Sequence, residues 1–123
     1  MHRVVHFELN TSDPERSEAF FSEVFGWKVS KWEGGPDYWL ATTGAEGDAG
    51  IDGAIMRSQD GAPRTVNTIE VASVDEAAER VVAAGGQVVV PKQAISGLGH
   101  FAYCTDPTGL IFGIYHADEQ AQA

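Results

Sequence analysis

The chain has 123 residues, 43% of them hydrophobic and 21% charged, which is enough apolar material for one cored domain and too much for wholesale disorder. Eight Lys and Arg stand against 18 Asp and Glu, a formal charge of −10 with no basic cluster, and this argues against nucleic acid and anionic lipid as partners. The single cysteine, Cys104, excludes an intrachain disulfide and any zinc site built on several thiolates, and no window approaches the roughly 18 apolar residues of a membrane span, so the expected compartment is the cytoplasm.

Residues 3–9, RVVHFEL, alternate so that Val4, His6 and Glu8 share one face and Val5, Phe7 and Leu9 the other, which predicts a half-buried strand. In TSDPERSEAFFSEVFGW, Ser12 or Asp13 can cap a helix, Pro14 suits its first turn, and Glu15 answers the positive end of its dipole. Phe20, Phe21, Val24 and Phe25 recur at helical spacing as the expected buried stripe, with Gly26 as the left-handed stop. Three short strands are expected near 27–33, 38–43 and 51–57, separated by the turn chemistries EGGPD and GAEGDAG. After the polar connector SQDGAPR the order repeats: a strand at 65–71, a helix over SVDEAAERVVAAGG opened by a Ser73/Glu76 capping box, and strands near 86–91, 99–104 and 109–116.

Phe7-Glu8-Leu9 matches Ile69-Glu70-Val71 at an offset of 62, and Ser12…Glu15 matches Ser73…Glu76 at an offset of 61. A single 1–123 domain is therefore expected, built from module one at about 1–59 and module two at about 60–123. Each half is too small to complete a core alone.

The duplication, with VVHFELNTSDPERSEAFFSEVFGWKV, DYWLATTG, VDEAAERVVAAGGQVVVP and GHFAYCTDPTGLIFGIY, resembles the vicinal oxygen chelate superfamily, the glyoxalase/bleomycin-resistance/dioxygenase group, over essentially the whole chain. The resemblance implies an α+β fold, two tandem βαβββ modules forming a curled mixed sheet with a concave cup. Metal-binding members of that family take ligands from the first and last strands of each module. Here only His6 matches such a position: Thr68 takes its place in module two, Gly113 falls where DPxGxxxEI would carry a carboxylate, and IDGAIM offers Gly53 or Ala54, with Asp52 adjacent. A divalent ion needs three or four N or O donors, so no resident metal or other cofactor is expected.

His6 is either a hydrogen-bonded structural histidine, a ligand-contacting or acid/base group, or a metal ligand. Glu8 and Glu70 occupy equivalent positions, either lining the cup or facing solvent and the module seam. Among the strand aromatics Trp39 and Tyr115 are the best candidates to line a cup, and His100 sits in GLGHFAY near its rim; the register of 37–43 and 99–104 decides which way each points. Cys104 reads as a small buried apolar residue, and no catalytic residue is assigned.

The function expected from these readings is metal-free binding of a small organic molecule, cationic or aromatic, at His6, Glu8, Trp39, Thr68, Glu70, His100 and Tyr115 in the cup of a homodimer. The alternatives are a divalent-metal-dependent lyase or extradiol dioxygenase of glyoxalase type, and a non-catalytic interaction subunit.

Overall fold

In the computed structural model, which describes residues 1–33 and 37–123, the chain runs β1 (Val4–Thr11), α1 (Pro14–Phe25), β2 (Lys28–Lys31), β3 (Tyr38–Thr42), β4 (Gly53–Arg57), β5 (Arg64–Glu70), α2 (Val74–Ala83), β6 (Gln87–Ile95), β7 (Gly99–Thr105), β8 (Ile111–Ala117). This is βαβββ twice, an α+β chain with parallel and antiparallel pairings. Gly34, Gly35 and Pro36 of the expected EGGPD turn lie outside the described residues. The chain divides into two units, a first of residues 5–66 and a second of residues 1–4 with 67–123. Among the described residues no helix is long and apolar enough to cross a membrane.

In the first unit the strand order is β2-β3-β4-β1, with β1 and β4 parallel and β3 antiparallel to both of its neighbours. Partners in register point their side chains to the same side of a sheet. Phe7↔Gly53, Leu9↔Ile55, Trp39↔Ile55 and Ala41↔Gly53 thus define one face, and Glu8↔Ala54, Asn10↔Met56, Tyr38↔Met56 and Leu40↔Ala54 the other. α1 covers the first face: Trp27 stacks on Phe21 at 4.8 Å and meets Phe7 at 5.7 Å. Gly53 has no side chain because the Phe7 ring and carbonyl already fill the space a Cβ would need.

Asp13 rather than Ser12 caps α1, its carboxylate accepting the Arg16 N–H, and Gly26 closes the helix at φ 73°. The expected buried stripe of α1 is corrected. Phe20, Val24 and Phe25 are exposed: Phe21 stacks on Trp27 at 4.8 Å, while Phe25 reaches the same ring only at its flank, tilted at 6.2 Å.

In the second unit the order is β5-β8-β7-β6. Ile69↔Ile114, Ala102↔Ile114, Cys104↔Phe112 and His100↔His116 face α2, whose Val74, Ala77, Ala78 and Val81 close the core. Thr68↔Gly113, Glu70↔Tyr115, Phe101↔Tyr115 and Tyr103↔Gly113 lie on the opposite face. Ser73 caps α2 through the Glu76 N–H. β6 runs on through Pro91 to Ile95 instead of stopping there, since it is the last strand of the order and its register shifts around the proline.

Candidate functional site

The face of the first unit turned away from α1 carries a linear hydrogen-bonded relay. Tyr38 Oη donates to Glu8 Oε2 at 3.2 Å, which leaves its lone pair to accept from His6 Nε2 at 2.9 Å. His6 is thereby held with its proton on Nε2 and its lone pair on Nδ1. Burial pulls the His6 imidazole below its usual range, against the opposing charges of Glu8 and Asp52, so the ring is neutral at neutral pH. The Tyr38 phenol is pushed well above its usual range, by burial first and then by the charge and hydrogen bond of Glu8. Glu8 itself is buried, with 5% of its surface exposed.

Three further groups belong to this face. Trp32 meets Tyr38 edge to face at 6.2 Å. Asn10, two residues past Glu8, has its Nδ2 buried with no hydrogen-bond partner. Asp52 stands one residue before the Phe7↔Gly53 pair, alongside His6, and accepts from the Thr43 backbone N–H at 2.8 Å and the Thr43 hydroxyl at 3.2 Å.

The polar groups of this face are engaged mainly with one another and with the neighbouring turn. His6 Nε2 and the Glu8 carboxylate are turned to Tyr38, Asp52 to Thr43, and Ala54 brings only a methyl. The register puts Asp52, not Gly53, next to His6, and Gly53 faces α1. Among the described residues the one group of three metal-capable side chains with ligand atoms within 4.8 Å of one another is His100, His116 and Asp118, which excludes His6, Glu8 and Asp52.

In the second unit Thr68, Glu70 and Tyr115 share a face with Phe101 and Tyr103, and a Cβ at Gly113 would stand 3.0 Å from the Thr68 hydroxyl. Tyr115 donates to the Leu98 carbonyl at 2.9 Å, and burial, with the nearby Glu70 charge, pushes its phenol up.

Two expected site residues point the other way. Trp39, 8% exposed, pairs with Ile55 on the α1 face, under the Lys31 ammonium at 5.4 Å. His100 pairs with His116 on the α2 face. A one-residue register difference exchanges Trp39 for Tyr38 and His100 for Phe101, so in each strand the neighbour of the expected residue takes the open face. Asn10 was not among the expected site residues, although the alternation Val4, His6, Glu8 reaches it in one more step. Cys104 is fully buried, and burial pushes its thiol up.

The family model described as Glyoxalase/Bleomycin resistance protein/Dioxygenase superfamily matches residues 3–114. CFP32 of Mycobacterium bovis, provisionally named a glyoxylase, is 33% identical over 120 residues, covering 94% of this chain but only 46% of the relative. The chain thus spans about half the length of that relative. Methylmalonyl-CoA epimerase from Mycobacterium tuberculosis shares the fold at TM-score 0.69 and 13% identity, over 93% of this chain and 87% of that one. The Mn(II)-bound glyoxalase from Novosphingobium aromaticivorans does so at TM-score 0.68 and 22% identity, over 96% of this chain and 39% of that one. With a family model spanning nearly its whole length and the βαβββ order in both halves, the chain belongs to the glyoxalase/bleomycin resistance protein/dioxygenase superfamily.

Proposed function

We propose that the chain is a small-molecule binding protein that holds an oxygen-bearing organic ligand on the His6–Glu8–Asn10–Tyr38 face, without a resident metal there. The observation that carries this reading is the Asn10 Nδ2, a buried donor without a partner on the same face as the relay. A buried donor left unmade is costly, and a ligand oxygen would satisfy it. Trp32 and Tyr38 offer ring surface for an aromatic or cationic group. Buried Glu8 and the −10 charge of the chain favour a neutral or cationic ligand over an anionic one. The test is a thermal-shift screen with neutral, cationic and anionic oxygenated aromatics: hits should come from the first two classes and weaken in Asn10→Ala.

A second reading is favoured by one feature, the proton order of the relay. With Nε2–H committed to Tyr38, Nδ1 of His6 is a base held in place, suited to taking a proton from a carbon next to a carbonyl. Solvent deuterium incorporated into a bound ligand, and lost in His6→Gln, would establish catalysis; binding without exchange leaves the first reading. A metal retained at one equivalent and lost in His6→Ala would overturn both in favour of metal-assisted chemistry.

We also propose a homodimer. The exposed Phe20, Val24 and Phe25 leave an apolar strip on α1, and a relative about twice as long has room for a second domain of this size. Light scattering should return about twice 13.2 kDa.

A further inference from the structure

The second unit carries a cluster that the proposed ligand face does not use. His100 on β7 and His116 on β8 are direct cross-strand partners, with ring centroids 4.9 Å apart. Asp118, two residues beyond His116 and just past the end of β8, reaches His100 Nε2 at 3.2 Å. Its backbone N–H is tied to the Leu98 carbonyl, and its carboxylate accepts the Gln120 N–H. Three residues set by the β7–β8 ladder and its exit thus bring ligand atoms within 4.8 Å of one another, partly open to solvent. Asp75, bonded to Lys92, adds negative charge nearby and feels both imidazoles. The cluster lies on the α2 side of the strands, opposite Thr68 and Gly113.

We propose that His100, His116 and Asp118 form an exchangeable site for a borderline divalent cation of the Zn2+, Ni2+ or Co2+ class. Two imidazoles and one carboxylate suit such ions, with water completing the shell. Donors around a tetrahedral ion at ~2.0–2.1 Å stand about 3.3 Å apart, so the cluster closes by small side-chain rotations. Loading has one structural consequence. His116 Nδ1 accepts the Val74 N–H at 2.9 Å, the first N–H of α2, so its proton sits on Nε2. To ligate through Nε2 the ring must move that proton to Nδ1, and the Val74 bond is lost. Cation binding and the start of α2 are therefore coupled, and because loading gives up a hydrogen bond the site is weak and exchangeable.

The test is calorimetric titration of the full chain with zinc sulfate at neutral pH, alongside amide spectra. The expected result is one zinc per chain with micromolar affinity, at least tenfold weaker in His100→Gln and in Asp118→Asn and unchanged in His6→Gln, with the Val74 amide shifting as zinc is added. Both variants should retain the parent's amide spectrum elsewhere in α2, which separates a lost ligand from a lost fold. Absent binding, binding indifferent to His100→Gln and Asp118→Asn, loss in His6→Gln, or an unmoved Val74 amide would each overturn the proposal.

Discussion

The two halves share an element order but not a chemistry. At equivalent positions of β1 and β5 stand His6 and Thr68, then Glu8 and Glu70. Beside His6 the parallel neighbour strand brings Asp52, whereas beside Thr68 it brings Gly113, whose missing side chain leaves room filled by the Thr68 hydroxyl. The first half links His6 and Glu8 through Tyr38 and leaves Asn10 unpaired; the second surrounds Thr68 with Phe101, Tyr103 and Tyr115. The repeat conserves what the backbone needs, caps and in/out alternation, while leaving the side chains of the open face free to differ. On the open faces alone, the first half carries the His6–Tyr38–Glu8 relay and the second the rings of Phe101, Tyr103 and Tyr115.

The two halves differ most sharply at their glycines. Gly53→Ala pushes a methyl into the Phe7 ring and carbonyl, and should destabilise by about 3 kcal/mol or more, read from denaturant midpoints. Gly113→Ala meets the Thr68 hydroxyl at 3.0 Å, with Tyr103 and the Thr68 Cβ at ordinary contact distances of 3.5 and 3.6 Å, and should cost about 1 kcal/mol or less. Equal costs would mean that the open face of the second half is as tightly filled as the α1 face of the first.

Tyr38→Phe comes next. It removes both hydrogen bonds of the relay and leaves Glu8 and His6 facing a ring edge, so a loss of about 1–3 kcal/mol is expected. Tyr115→Phe, on the other half, removes a phenol bonded only to the Leu98 backbone carbonyl at 2.9 Å and is the comparison for deleting a phenol oxygen from an open face. Urea titration of the two variants shows whether the first half alone depends on a buried polar relay.

The pH dependence is a smaller effect with a fixed sign. His6 is held neutral in the folded chain, below the usual imidazole value of about 6.5, so the unfolded chain binds the extra proton first. Stability should be full above about pH 6.5 and fall as pH drops from there through the lowered folded value. His6→Gln should flatten that segment. The lowered carboxyls of Asp60, Asp75, Asp106 and Asp118 lose their contribution only in the more acidic carboxylate range, so the two windows separate in stability curves taken from pH 7.5 to 3.

What was legible in the sequence follows the same division. The element order, the caps at Asp13 and Ser73, and the His6/Thr68 and Glu8/Glu70 correspondences all rest on short-range signals: alternation, capping chemistry and a repeat offset. Trp39 and His100 were beyond that reach, because each strand's facing is fixed by its partner's register, and a shift of one residue inverts it. The exposed stripe of α1 eluded the pattern for a related reason. Helical spacing shows that Phe20, Val24 and Phe25 share a side of the helix, but not whether the sheet below is wide enough to cover them. His116 and Asp118 meet His100 only through the β7–β8 pairing, so no spacing along the chain announced them.

The most direct test of the central claim, that the first half holds a small oxygen-bearing ligand through Asn10 and the relay, is a thermal-shift screen run in parallel on the parent, Asn10→Ala and Tyr38→Phe. Neutral or cationic hits should stabilise the parent and lose at least tenfold in affinity in both variants. Hits that are all anionic, hits that bind the three proteins equally, or a screen with no hit on the parent would contradict it.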